Sequence, residues 1–196
     1  MYKLLDCVLN ERLKKEIYGK EKKITREQTG FKKGIGCEMN ILRMIENLRQ
    51  LKREKGSKRL WSFYLDLKSA FDSVDHKIVF QKMKEKLAIS NELIETIKWL
   101  YRQTKFQIGD QEIPIGTGVI QGGVLSPTIF VIMFDDLIKE LGDKGYKVFA
   151  YADDLAVIGY GKNSLKEVIR ICEEWTIRNN MKINREKSGI IWHKGR

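Results

Sequence analysis

The sequence predicts an α+β fold, and two observations point to it. Short runs rich in β-branched and aromatic residues alternate with longer stretches whose apolar residues recur every three or four positions; the first pattern marks strands and the second amphipathic helices. At 196 residues and 42% hydrophobic content the chain can also bury a real core.

The elements follow in order. Leu4, Leu5, Val8, Leu9, Leu13 and Ile17 give a first helix that stops at Gly19, and the Gly- and Lys-rich stretch EKKITREQTGFKKGIG after it reads as a loop. Ile41, Leu42, Ile45, Leu48 and Leu51 give a second helix ending at Gly56, with the basic run LKREKGSKR as a solvated face. RLWSFYLDL, residues 59–67, is a strand with Asp66 at its end, followed by a turn at KSAFDS and a helix from Asp75. Ser90 opens another helix carrying Leu93, Ile94, Ile97 and Leu100, and KFQIGDQEIPIG is a hairpin turning near Gly109 and Asp110. GTGVIQGGVLSP is a glycine-rich loop; Ser126 as N-cap and Pro127 at the first helical position open SPTIFVIMFDDLIKEL. YKVFAY and LAVIGY flank a tight turn, Leu165, Val168, Ile169, Cys172 and Trp175 mark a last helix, and MKIN and GIIWH are short strands joined by REKS.

Composition narrows the function. The 37 Lys+Arg against 26 Asp+Glu, a formal charge of +11, suit a polyanionic partner such as nucleic acid. Cys7, Cys37 and Cys172 are odd in number and widely spaced, so they indicate neither a disulfide framework nor a zinc site and fit a reducing compartment. His76 and His193 read as surface or packing residues. The apolar run TIFVIMF is too short to span a bilayer, and the charged start MYKLLDCVLNERLKKE is no secretory signal.

The unusual feature is YADD, residues 151–154, which sets Asp153 and Asp154 side by side at a hairpin tip between apolar strands. At an effective dielectric of about 20, two carboxylates about 4 Å apart repel by roughly 4 kcal/mol, so the placement needs a compensating partner. The pair in FDD, Asp135 and Asp136, is different: mid-helix neighbours point about 100° apart, at least one can face water, and a structural role suffices. Asp66 ends another strand and could come alongside the hairpin. Three such carboxylates would make an all-oxygen site for Mg²⁺, and two ions about 3.5–4 Å apart would stabilise the attacking and leaving oxygens of a phosphoryl transfer.

Several motifs in order resemble the fingers and palm of a reverse transcriptase of the non-LTR retrotransposon and group II intron type. FYLDLKSAFDSVDH (63–76) resembles the family's first catalytic motif, GVIQGGVLSPTIF (118–130) its second, YADD its third, EEWTIRNNMKINREKSGI (173–190) its fourth and EQTGFKKGIG (27–36) a fingers motif. The resemblance implies a right-hand polymerase palm, an antiparallel sheet with helices on one face. It implies that Asp66, Asp153 and Asp154 hold two Mg²⁺ ions, for which Mn²⁺ can substitute, with help from the Leu67 carbonyl. Phe71 matches the steric gate that excludes a ribose hydroxyl, Gln121 and Gly122 the loop against the incoming nucleotide, and Lys187 a lysine that assists the pyrophosphate leaving group. Gly30, Phe31, Lys32, Lys33, Ser126, Pro127 and Tyr151 match segments near template and primer. Asp72 reads as a structural turn residue.

The implied organisation is partial fingers over 1–58, palm over 59–104, a hairpin and glycine-rich loop over 105–122 and palm again over 123–196, as one catalytic unit. The family's upstream Arg-Pro-Ile-like motif is absent and the chain stops at IIWHKGR, so the expectation is a palm with partial fingers and no thumb, truncated at both ends. The implied activity is RNA-directed DNA synthesis, weak for the isolated chain, with RNA template, DNA or RNA primer and dNTPs as partners and no membrane. The alternatives are a catalytically inactive nucleic-acid-binding remnant, in which damaged carboxylates are expected, and an RNA-making polymerase, in which a small or polar residue is expected at Phe71. The implied location is intracellular: nuclear for a eukaryotic element, cytoplasmic for a bacterial one.

Overall fold

The computed structural model describes residues 2–19, 24–32, 34, 36–56, 58–103, 105–108, 111–114 and 116–193. In chain order the elements are α1 (Tyr2–Tyr18), α2 (Cys37–Lys55), β1 (Leu60–Leu65), α3 (His76–Glu85), α4 (Asn91–Gln103), β2 (Lys105–Ile108), β3 (Gln111–Pro114), α5 (Ser126–Asp143), β4 (Lys147–Tyr151), β5 (Asp154–Tyr160), α6 (Lys162–Arg178) and β6 (Gly189–Trp192). Contacts divide the chain into a sheet unit, Thr25–Ala70 with Phe134–Arg196, and a helical unit, Met1–Ile24 with Phe71–Met133.

The sheet unit is built on four antiparallel strands in the order β4-β5-β1-β6. Alternate residues of a strand point to opposite faces, and β1 buries both. Leu60 packs with Phe149 and Ile158 against Met44, Leu48 and Leu51 of α2. Trp61, fully buried, points the other way and donates its indole N–H to the Gly161 carbonyl at 2.9 Å, at the start of α6. The glycine opposite it in the register, Gly159, leaves room for the indole: a Cβ there would sit 2.2 Å from Trp61 Cζ2. The expected helical cover on one face is supplied by α6, and α2 adds cover on the other.

The FDD pair is structural, but both carboxylates are in use. Asp135 is buried and accepts from the Thr25 amide and hydroxyl at 2.8 and 2.7 Å, while Asp136 accepts from the Trp175 indole N–H at 2.7 Å. Burial pushes the Asp135 carboxyl above its usual range, and the Thr25 bonds oppose that shift. MKIN is not a strand. It makes one isolated bridge, Ile183 to Leu67, because Asn184 begins a turn that closes on itself through the Ser188 amide.

In the helical unit α1 buries Leu9, Leu13 and Ile17 as expected, but Leu4 and Val8 are 72% and 43% exposed. The buried side of α1 instead includes two polar residues. Asp6 accepts from the Val124 and Leu125 amides just ahead of α5, and Asn10 accepts from the Thr128 hydroxyl at 2.6 Å. Ser126 is therefore not the N-cap; it is the first helical residue, and its hydroxyl donates to the Ile120 carbonyl at 2.6 Å. In the same way Ile41 and Leu42 of α2 are 48% and 60% exposed, and its inner face is carried by Asn40, Met44, Leu48 and Leu51. α3 begins where expected, and Asp75 is its N-cap, accepting from the amides of Lys77 and Ile78. β2 and β3 pair as the predicted hairpin; its turn residues, Gly109 and Asp110, lie outside the described residues. Among the described residues no helix is long and apolar enough to cross a membrane.

Candidate active site

The turn between β4 and β5 holds only Ala152 and Asp153, since Tyr151 pairs with Asp154. Two-residue connections favour positive φ at the first loop position, and Ala152 has φ 55°. On the neighbouring strand the last paired residues are Leu65 and Leu155, so Asp66, one step past Leu65, comes to the register position facing Asp154. Period-two alternation then puts Tyr64, Asp66, Tyr151, Asp154 and Ala156 on one face. They line a cleft of about 260 Å³ whose other wall is α2, with Cys37, Asn40, Ile41 and Met44. Lys187 lines the same cleft.

Electrostatics bind these groups together. The Asp154 carboxyl is pushed above its usual range, first by loss of solvent, then by the charges of Asp153 and Asp66, while the Lys187 ammonium pulls it down. The backbone of Asp66 is pinned from the fourth-motif segment: its N–H donates to Ser188 Oγ at 3.0 Å and its carbonyl accepts from the Asn184 amide at 2.9 Å. The Lys68 amide bonds the Lys182 carbonyl, and these two backbone bonds flank Leu67 without using its own carbonyl.

Carboxylates and a backbone carbonyl are hard oxygen donors and suit Mg²⁺ or Mn²⁺ rather than a thiophilic metal. Among the described residues no three acidic, histidine or cysteine side chains close on one point as a ready-made cage. Mg²⁺ shared with phosphates requires only one or two carboxylates, the remaining positions being water and substrate oxygen. The donor set fits such an ion.

The remaining sequence candidates lie as follows. Gly30 is buried, Phe31 is 49% exposed, the Lys32 ammonium donates to the Thr25 carbonyl at 3.1 Å, and Lys33 lies outside the described residues. In the helical unit Phe71 is half-buried and stacks on Phe130 with ring centroids 4.6 Å apart. Its carbonyl accepts from the Val119 amide, which folds the glycine-rich loop onto the turn at residues 71–74. Gln121 and Gly122 are exposed, and the Gln121 amide donates to Asp72 at 3.3 Å. Ser126 is buried and Pro127 half-buried in the first turn of α5. A larger cleft, about 630 Å³, lies between α3 and α4, and none of the candidate residues lines it. Sequence reasoning missed Ser188, Asn184 and Gln28, each of which acts through bonds to residues far away in the chain; the signal each had was its place in a motif, Gln28 in EQTGFKKGIG and Asn184 and Ser188 in EEWTIRNNMKINREKSGI.

The family model for reverse transcriptase (RNA-dependent DNA polymerase) matches residues 1–195. The chain belongs to the reverse transcriptase family. Reverse transcriptases in general use divalent metal ions. This one is 28% identical over 184 residues to the RNA-directed DNA polymerase from mobile element jockey of Drosophila funebris, covering 86% of this chain and 20% of that protein. It is 32% identical over 139 residues to the Pol polyprotein of the type-1 retrotransposable element R2 of Popillia japonica, covering 63% of this chain and 22% of that protein. It thus spans about a fifth of the length of these relatives. In fold, this chain resembles telomerase structures. The Candida albicans enzyme, in complex with a fragment of telomeric RNA, superposes with a TM-score of 0.70 at 12% identity, over 98% of this chain and 34% of that one. Apo telomerase from Candida tropicalis gives 0.68 at 16% identity, over 99% and 37%.

Proposed function

We propose that this chain carries the catalytic centre of RNA-directed DNA synthesis, with the cleft beside Asp66 and Asp154 as the place where primer end and incoming dNTP react. The observation that carries the reading is the facing register of Asp66 and Asp154 next to Asp153 in a two-residue turn. In this reading Asp66, Asp153 and Asp154, with the Leu67 carbonyl, hold one or two divalent ions. When bound, such ions stabilise both the attacking and the leaving oxygen of phosphoryl transfer.

The chain's own groups do the rest. Lys187 sets a positive charge at the cleft, opposes the upward shift of the Asp154 carboxyl and carries a proton at Nζ for a leaving pyrophosphate. Phe71 presents a ring whose position is set by stacking on Phe130, and its bulk would reject a ribose hydroxyl. Gln121 and Gly122 offer an amide and bare backbone to the nucleotide. The formal charge of +11 supplies sequence-independent attraction for the template-primer duplex.

Primer extension on an RNA template with Mg²⁺, comparing dNTPs with rNTPs, tests the proposal. The expected result is incorporation of dNTPs only, lost in Asp153→Asn, with ribonucleotides accepted by Phe71→Ala. Activity that survives Asp153→Asn contradicts it.

A further inference from the structure

Ala152 is held in the left-handed region, which L residues rarely adopt, and the side chain that holds it there comes from the other end of the chain. Gln28 is fully buried. Its Oε1 accepts from the Ala152 amide at 3.1 Å and from the Gly30 amide at 2.9 Å, and its Nε2 donates to the Ala152 carbonyl at 3.0 Å. Both polar groups of the first turn residue are thereby taken by one amide. The backbone around Gln28 is fixed as well: the Thr29 amide bonds the Ala150 carbonyl at 2.9 Å and the Ala150 amide bonds the Glu27 carbonyl at 3.2 Å, a parallel bridge on the open edge of β4.

Neither Glu nor Asn meets these demands. Gln has a donor and an acceptor at the required reach and adds no charge beside three carboxylates. Glu could accept the two N–H groups but would set a carboxylate against the Ala152 carbonyl, and Asn is one methylene short. Close approach explains Gly30 too, since a Cβ there would lie 2.2 Å from the Ala152 nitrogen.

We infer that Gln28 is a positioning residue: its amide clamps Ala152 and so fixes where Asp153 and Asp154 stand relative to Asp66, while Gly30 keeps the space the clamp needs. The inference rests on the polymerase reading of those carboxylates. It gives the TREQTGFKK segment a function inside the sheet unit, as a buttress of the YADD turn.

The test uses the 196-residue chain, as wild type, Gln28→Met and Thr29→Val. Met keeps the volume of Gln and removes all three bonds. Thr29→Val removes the Thr29 hydroxyl bond to the Ala150 carbonyl, which belongs to the same segment but not to the turn. Three quantities are measured: amide exchange at Ala152 in metal-free protein by NMR, Mn²⁺ affinity by calorimetry, and kcat and KM for single-dNTP extension. Misplacement of a reacting group by about 1 Å costs on the order of 100-fold in rate. Gln28→Met is therefore expected to lose about ten- to 100-fold in kcat with KM for dNTP unchanged, to weaken Mn²⁺ binding and to speed Ala152 exchange. Thr29→Val should keep wild-type kcat. If Gln28→Met does not fold, Ala152 exchange in the wild type decides: slow exchange, as in the central strands, supports the clamp, and exchange as fast as in an open loop overturns it. A wild type that neither binds Mn²⁺ nor extends a primer removes the polymerase reading. A wild type that does both, with Gln28→Met equal to it in kcat, removes only the clamp.

Discussion

Replacing Asp154 with Asn should make the metal-free protein more stable while removing its response to Mg²⁺. The Asp154 carboxyl is raised above its usual value by partial burial and by repulsion from Asp153 and Asp66. A group that titrates higher in the folded state than in the unfolded one binds its proton more readily when folded, so stability falls as pH rises through the raised value. At neutral pH the ionised carboxylate is therefore a net cost without metal. Because Asp154 is exposed and the interactions are screened, that cost is about 0.5–1 kcal/mol rather than the several expected of a buried pair. At about 2–4 °C per kcal/mol for a protein of this size, metal-free Asp154→Asn should melt about 1–4 °C above wild type at pH 7. The advantage should vanish as pH falls through the raised value of the folded carboxyl and below the ordinary aspartate range, where the wild-type side chain is also neutral. Mg²⁺ at tenfold its dissociation constant should add about 1.4 kcal/mol to wild type, or roughly 3–6 °C, and much less to the variant. Scanning calorimetry with and without Mg²⁺ at several pH values measures both effects. Equal Mg²⁺ shifts in the two proteins, or a metal-free variant less stable than wild type, would refute the reasoning.

Three further outcomes are expected. Gly159→Ala should cost about 1–3 kcal/mol, read as a lower urea midpoint, because the new methyl meets the fully buried Trp61 indole; an unchanged midpoint would mean that the strand pair can slide apart freely. Iodoacetamide at pH 8 should label the exposed Cys7 and Cys37 but not Cys172, whose thiol burial pushes up to about 12; a third adduct seen by mass spectrometry of folded protein contradicts this. RNA binding should weaken steeply with added salt and depend little on sequence, as counterion release from a basic surface requires; salt-independent binding would place recognition elsewhere.

What was legible in the sequence is what local patterning controls. Period-two runs and a tight turn between them placed Asp153 and Asp154 at a hairpin tip, and the strand expected over 59–67 put Asp66 at its end, although the paired strand stops at Leu65 and leaves Asp66 just beyond it. Apolar periodicity misjudged the buried faces of α1 and α2, because Asp6 and Asn10 turn inward to serve the start of α5 and Asn40 turns inward toward the Ala150 carbonyl. Buried polar groups of that kind follow from hydrogen-bond partners more than 100 residues away, and no window of sequence contains both ends. The same applies to Ser188 on Asp66 and Gln28 on Ala152, at separations of 122 and 124 residues. MKIN has strand composition but only one bridge, since the chain must turn at Asn184 to bring Ser188 back to Asp66.

The proposed chemistry depends on Asp66, Asp153 and Asp154 together holding divalent metal at the cleft. Anomalous diffraction from crystals soaked in Mn²⁺ with a template-primer and a non-reactive dNTP analogue tests it most directly. One or two manganese peaks are expected within coordination distance of the Asp66 and Asp154 carboxylates, absent in crystals of Asp66→Asn. Nucleotide bound with no manganese between those two side chains, or manganese bound equally in Asp66→Asn, would contradict it.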